Sequence, residues 1–296
     1  MKQVIDIHVH GIGGYDTRTA NPARILHIAE ILGRCGVSSM LPTIYPAQIE
    51  TMRTNMEAVK KAMEIQKSEF SSSPLTHGPS KIIGVHLEGP FLNPLYCGAL
   101  NKRSFLEPNE YSLEELLDGF EDMVKIVTIA PELSGALKLI SIMADRGITV
   151  SMGHSNATFN EAEAGFHRGA KGITHLFNAM RGFHHREPGI AGFGILNQDI
   201  FIEVIADTLH LSEYTLDLVF RIKRPDRIIM VSDSIKETPG TTYVPRSMSK
   251  RGTVCAQSRL KGGALTLTQS ARRLIDRGFK EETIMACISG TPWSYI

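Results

Sequence analysis

The sequence predicts a (β/α)8 TIM barrel, and three observations carry that prediction: a length and apolar content suited to one large core, short apolar runs alternating with segments of helical period, and a count of eight such runs. The chain has 296 residues, 42% of them apolar, and a barrel of this kind needs roughly 250. A single domain spanning residues 1–296 is therefore expected.

The eight runs fall at residues 4–9, 38–42, 82–87, 124–129, 149–152, 172–177, 201–206 and 227–231. Strand-like runs that alternate with helical ones are the signature of βαβ units and a parallel sheet. Helical period predicts helices over 23–35, 49–66, 112–120, 135–146, 160–168 and 212–222. Ser134 and Ser212 stand where an N-cap hydroxyl would accept a backbone N–H, and Gly36 and Gly147 stand where a helix must stop. Residues 68–80, rich in Ser and Pro, and residues 236–259, with turn formers and scattered basic side chains, read as surface loops. The second follows the last barrel strand, on the side where active sites of this fold gather. No internal repeat or low-complexity tract interrupts the pattern.

Charge and cysteine content exclude several function classes. The 32 basic and 31 acidic side chains leave a net charge of +1, too little to collect nucleic acid or anionic membrane by charge alone, so a small-molecule partner is expected. The four cysteines are far apart and form no CxxC pair, which argues against a zinc ribbon, a redox motif or a disulfide framework. The N-terminus lacks a signal-peptide pattern and no run approaches the roughly 20 apolar residues of a membrane helix. A cytoplasmic protein is expected.

The chemistry lies at strand ends. In the first strand Ile5, Ile7 and Val9 alternate with Asp6, His8 and His10, so period-2 geometry sets both histidines on one face, inside the barrel, and the apolar set toward the helices. The third run ends in Glu88, the fifth leads into His154, the sixth holds His175 and the eighth ends in Asp233. Each places a metal-competent side chain at the C-terminal rim, where barrel enzymes keep their catalytic groups. A buried carboxylate among imidazoles costs several kcal/mol to desolvate, about what a divalent cation would offset. His8, His10, Glu88, His154 and His175 with room for water suit a catalytic zinc or iron site.

These residues sit in motifs: IDIHVHG at 5–11, GVHLEGPF at 84–91, GHSNAT at 153–158, THLFNAM at 174–180, REPG at 186–189, and Ile205-Ala206-Asp207 with His210. In this order the chain, from residue 5 to about 275, resembles the N-acetylglucosamine-6-phosphate deacetylase family of the metal-dependent amidohydrolase superfamily. The resemblance implies that Glu88, His154 and His175 hold the principal metal and that His8 and His10 allow a second ion, with Glu88 bridging; one or two ions of zinc or iron per subunit are expected. It implies that Asp233 is the catalytic carboxylate, that Asn178 and Ala179 contact the sugar phosphate, that Arg186 reaches phosphate, often across a dimer interface, and that His210 orients substrate. His184 and His185 read as loop residues. A homodimer follows from the same resemblance.

The chain departs from the family pattern at Ala99 and Leu100, where a substrate-contacting histidine is usual, at Thr208, where a glycine is usual, and at Lys261-Gly262-Gly263, where a small serine-rich turn is usual. Ala99, Leu100, Gly262 and Gly263 are accordingly read as substrate-side residues. The small β-sandwich of the family is expected to be lacking, leaving an exposed barrel base. Dihydroorotase and phosphotriesterase types need a carboxylated lysine at the end of strand four, where this chain reads Thr128-Ile129-Ala130-Pro131-Glu132, and an adenosine-deaminase type does not use Glu88. The expected reaction is removal of the N-acetyl group from N-acetylglucosamine 6-phosphate. Deacetylation of N-acetylgalactosamine 6-phosphate is the near alternative, and a non-catalytic sugar-phosphate-binding barrel the distant one.

Overall fold

The structure, a computed structural model, describes residues 3–69, 78–243 and 260–296. Eight parallel strands run β1 (Ile5–Val9), β2 (Ser39–Ile44), β3 (Val85–Glu88), β4 (Val124–Ile129), β5 (Thr149–Met152), β6 (Ala170–Ile173), β7 (Phe201–Ile205) and β8 (Ile228–Val231), each hydrogen-bonded to the next in chain order. A parallel bridge from Val9 to Ser234 brings β1 against the end of β8. The His8 carbonyl accepts from the Asp233 N–H there at 3.0 Å. The predicted eight-stranded barrel is the observed one.

Helices α1 (Pro22–Arg34), α2 (Ile49–Glu69), α3 (Glu110–Leu117), α4 (Ala136–Asp145), α5 (Phe159–His167), α6 (Gly189–Leu196) and α7 (Glu213–Ile222) cover the strands. In α1, Asn21 caps the Ala23 N–H and Pro22 opens the helix, so the buried stripe Ile25, Ile28, Ala29 and Leu32 faces the sheet at helical spacing. Ser212 caps α7 by accepting from the Thr215 N–H, as expected. Ser134 does not cap α4: the helix starts after Gly135 at φ 84°, without a side-chain cap. The expected loop at 68–80 loses its first two residues to α2, which runs on to Glu69; residues 70–77 of that loop and 244–259 of the expected loop at 236–259 lie outside the described residues. Among the described residues no helix is long and apolar enough to cross a membrane.

The barrel interior is layered. At its base Ile5, Ile7, Leu41, Ile126 and Ile229 pack on Tyr295, while the outward-facing Val9, Met40, Val127, Val204 and Met230 join the larger core under the helices. This corrects the simple alternation expected for β1. A register irregularity between Asp6 and Val9 lets Ile7 and His8 both face inward, where a regular strand would send them to opposite sides. Above the base lies a polar layer in which His86 meets the Thr128 hydroxyl at 2.8 Å, Thr128 meets Thr174 at 2.8 Å, and Thr174 donates to Ser151 at 2.6 Å.

Three further helices, α8 (Leu267–Asp276), α9 (Glu281–Cys287) and α10 (Gly290–Tyr295), follow the barrel. The base is therefore covered, contrary to the expectation of an exposed one. Tyr295 is fully buried, and a Cβ on Gly172 would come within 2.0 Å of its hydroxyl oxygen, so only glycine at 172 admits the ring.

Candidate active site

The predicted strand over 172–177 stops at Ile173, and His175 sits on the turn beyond β6 with φ 32°. His154 and Asp233 also hold left-handed backbone, at φ 47° each. Non-glycine residues in this region cost of order 1–3 kcal/mol apiece and persist where surrounding structure over-determines them, often at functional sites.

Six predicted residues meet at the C-terminal rim. Glu88 Oε1 lies 3.0 Å from His175 Nε2, 3.1 Å from His154 Nε2 and 3.5 Å from His8 Nε2. Glu88 Oε2 lies 3.2 Å from His10 Nε2. Asp233 Oδ1 stands 3.6 Å from His8 Nε2 and 3.7 Å from His10 Nε2. The two halves, Glu88–His154–His175 and His8–His10–Asp233, each gather three metal-competent atoms.

The imidazoles are turned by their other nitrogens. Nδ1 of His10 donates to the Thr43 carbonyl at 3.2 Å, that of His154 to the Tyr96 carbonyl at 2.8 Å, and that of His175 to the Asn178 carbonyl at 3.1 Å. His8 Nδ1 faces Glu203 Oε2 at 3.1 Å. With Nδ1 protonated in this way, each Nε2 carries a lone pair, and lone pairs at 3.1 Å between His154 and His175 and at 3.3 Å between His8 and His10 repel unless a cation lies between them. Ligand atoms held at about 2.0–2.2 Å around one tetrahedral ion are roughly 3.3 Å apart. The donor set and its spacing therefore fit a divalent cation.

With no ion between them, the buried groups compensate one another's charge instead. Burial opposes charge on Glu88, yet His154 and His10 hold its carboxyl well below the usual range. Burial likewise opposes charge on His8, but Glu203 and Glu88 push it well above the usual imidazole value. Burial, with His8 alongside, drives His86 well down; both its nitrogens are spent on Ile7 and Thr128, which leaves it a neutral core histidine.

A pocket of about 330 Å³ opens over the cluster. Ala99, Leu100, Asn178, Ala179, His210 and Gly262 line it along with His10, Glu88, His154, His175 and Asp233. His210 Nδ1 is 2.8 Å from Asp207 Oδ2; burial opposes its charge, and the Asp207 carboxylate outweighs that and raises its pKa. Arg186 and Gly263 are not brought into the lining. Arg186 is exposed, 2.8 Å from His185 Nε2, and Gly263 donates its N–H to the Asp233 carbonyl at 2.7 Å. A larger cavity of about 870 Å³, between α2 and the approach to β4 at the other rim, gathers no metal-competent cluster among the described residues.

Sequence reasoning missed three residues. Glu203 was signalled by one acid in the apolar run FIEVIA. Lys261 was visible only as a departure from pattern. Tyr45, stacked on His10 at 3.8 Å between ring centres under the guanidinium of Arg18, gave no sequence signal.

No family model matches the chain. It is 30% identical over 279 residues to an N-acetylgalactosamine-6-phosphate deacetylase of Escherichia coli O157:H7, covering 92% of this chain and 71% of that one. It is 31% identical over 280 residues to an N-acetylglucosamine-6-phosphate deacetylase of Vibrio furnissii, covering 93% and 67%. The crystal structure of the N-acetylglucosamine-6-phosphate deacetylase of Thermotoga maritima matches all of this chain and 78% of its own, with a TM-score of 0.84 at 30% identity. Shared sequence and a shared barrel over this much of each chain make this protein a member of the N-acetylglucosamine-6-phosphate deacetylase family.

Proposed function

We infer that this chain hydrolyses the N-acetyl group of N-acetylglucosamine 6-phosphate, giving acetate and glucosamine 6-phosphate. The observation that carries the reading is the convergence of four imidazole Nε2 atoms on Glu88, with Asp233 alongside, at the floor of the pocket. Glu88, His154 and His175 would hold one ion of zinc or iron, and His8 and His10, 3.5 and 3.2 Å from Glu88, a second shared with it. Such a cation supplies Lewis-acid polarisation of a carbonyl and makes water more acidic.

The chain's own groups do the rest. Asp233 takes the proton of the attacking water and delivers it to the amide nitrogen, which otherwise leaves poorly as an anion. His210, fixed through Nδ1 by Asp207, keeps Nε2 for a substrate oxygen. The Asn178 amide is turned back on the His175 and Leu176 carbonyls at 3.3 and 3.2 Å and its backbone N–H is given to the His175 carbonyl at 2.9 Å, so Asn178 would contact the phosphate only by exchanging one of these bonds. In a homodimer Arg186 would serve the other subunit's phosphate. A sugar phosphate carries charge that bars it from a bilayer, which fits a cytoplasmic enzyme.

Acetate release from N-acetylglucosamine 6-phosphate is expected with added zinc or iron, faster than from N-acetylgalactosamine 6-phosphate. Asp233→Asn should abolish turnover while retaining metal. An Asp233→Asn enzyme of wild-type activity would remove Asp233 from proton transfer, and a metal-loaded wild type without acetate release would overturn the reading.

A further inference from the structure

The pocket floor is crowded with groups committed to the metal cluster, and its walls carry little charge. Among the described residues that line it, Lys261 is the one permanent cation. The β3-side wall is Ala99 and Leu100, which offer no side-chain donor. The Asn178 amide is spent on carbonyls, and Arg186 lies outside the lining with its guanidinium against His185. Among the described residues that line this pocket, a phosphate dianion meets no other permanent positive charge from the same subunit.

The backbone holds Lys261 close to the reacting centre. A Cβ on the following residue, Gly262, would come within 2.7 Å of the Asp233 carbonyl oxygen and 2.5 Å of Ile235 Cγ2, so the chain there lies directly on the strand extension that carries Asp233. The next two residues are pinned as well: Gly263 donates to the Asp233 carbonyl at 2.7 Å, and Ala264 donates to Asp207 Oδ2 at 3.1 Å. The side chain itself is loosely held, its ammonium 3.5 Å from Glu237 Oε1 with both groups partly exposed. An ion pair of that kind holds its partners weakly, and a compact ammonium on a four-carbon stem can exchange it for phosphate.

We propose that Lys261 is the residue by which this chain selects a phosphorylated amino sugar, pairing with the phosphate from within the same subunit, and that Glu237 holds it in reserve. The proposal rests on the deacetylase reading for its substrate. Lys261 supplies binding and takes no part in bond breaking.

The test compares wild type, Lys261→Met, Lys261→Arg, Glu237→Gln and Arg186→Ala on N-acetylglucosamine with and without the 6-phosphate, and titrates each with the product analogue glucose 6-phosphate. Loss of a charged hydrogen bond predicts that Lys261→Met raises KM for the phosphorylated sugar by about 10- to 100-fold and weakens glucose 6-phosphate by the same factor. The rise should be confined to the phosphorylated substrate, Lys261→Arg should recover most of it, and Glu237→Gln should lower KM. Equal rises on both sugars, or no change in Lys261→Met beside a large one in Arg186→Ala, would overturn the assignment. If wild type released no acetate yet bound glucose 6-phosphate through Lys261, the deacetylase reading would fall and this one would stand; if it bound no sugar phosphate, both would fall.

Discussion

At the scale of single residues, Glu203 shows how an unpartnered polar atom points to a role. Its Oε2 lies 3.1 Å from His8 Nδ1, its Oε1 has no hydrogen-bond partner among the described residues, and the side chain is buried in the barrel. A carboxylate in that place costs stability unless it fixes something, and what it fixes is the tautomer and direction of His8. Glu203→Gln is expected to weaken a second ion held by His8 and His10 with Glu88 by about 10- to 100-fold and leave one held by Glu88, His154 and His175 in place. Zinc titration against a chelating dye reads both; equal weakening of the two ions, or of neither, refutes the role. Thr208 carries a different burden. It holds φ 63° beside Asp207, a region costly for a β-branched side chain, so Thr208→Gly should raise stability by about 1 kcal/mol. A lower melting temperature would show that packing of the threonine outweighs its strain.

At the scale of elements, α6 and α7 are tied by one buried lysine. Lys223, which follows α7, donates from Nζ to the Gly194 carbonyl at 2.9 Å and to the Asn197 carbonyl, both at the C-terminal end of α6 where carbonyls lack helical partners. Burial pushes its pKa down from 10.5 to about 7. At pH 8.5 the unfolded chain therefore keeps the proton that the folded chain has largely lost, so unfolding takes up a proton and stability rises with pH between about 7 and 10.5. The rise is limited to about 1.4 kcal/mol per pH unit. Urea midpoints at pH 7.5 and 9.5 should climb more in wild type than in Lys223→Met, and parallel profiles would mean that Lys223 stays charged when folded.

Elements also decide what the sequence could reveal. Strands β4, β5, β7 and β8 were legible because their apolar runs are bounded by turns. The inward turn of both Ile7 and His8 was not, since the irregularity in β1 depends on its pairing with β2 and not on its own residues. The end of β6 was overrun because Leu176 and Phe177 extend an apolar run that the backbone has already left. α8 carries a readable capping box, Thr266 with Gln269, whereas α9 and α10 span only 7 and 6 residues and owe their place to Tyr295 filling the barrel. The metal-competent residues could be read because residue type and strand end coincide. Three of the four groups that aim the imidazoles are backbone carbonyls, to which residue type is silent.

At the scale of the whole molecule, the cluster draws side chains from β1, β3, the turns after β5 and β6, and the end of β8, which is more than half the circumference of the barrel. An ion held there binds the folded chain and not the unfolded one, so it stabilises by about 2.7 kcal/mol when free metal stands at 100 times its dissociation constant. Without it, Glu88 remains a buried carboxylate that only protonated imidazoles can compensate, and the rim is held against its own electrostatics. Chelation should therefore lower the melting temperature by several degrees, and added zinc should restore it in a concentration-dependent way. Glu88→Gln should abolish that metal response, because Glu88 comes within 3.5 Å of all four imidazoles. Its metal-free form should melt no lower than metal-free wild type, since the neutral amide asks for no buried counter-charge. A melting curve that ignores both chelator and zinc would mean that the imidazoles and Glu88 hold the rim together through hydrogen bonds alone.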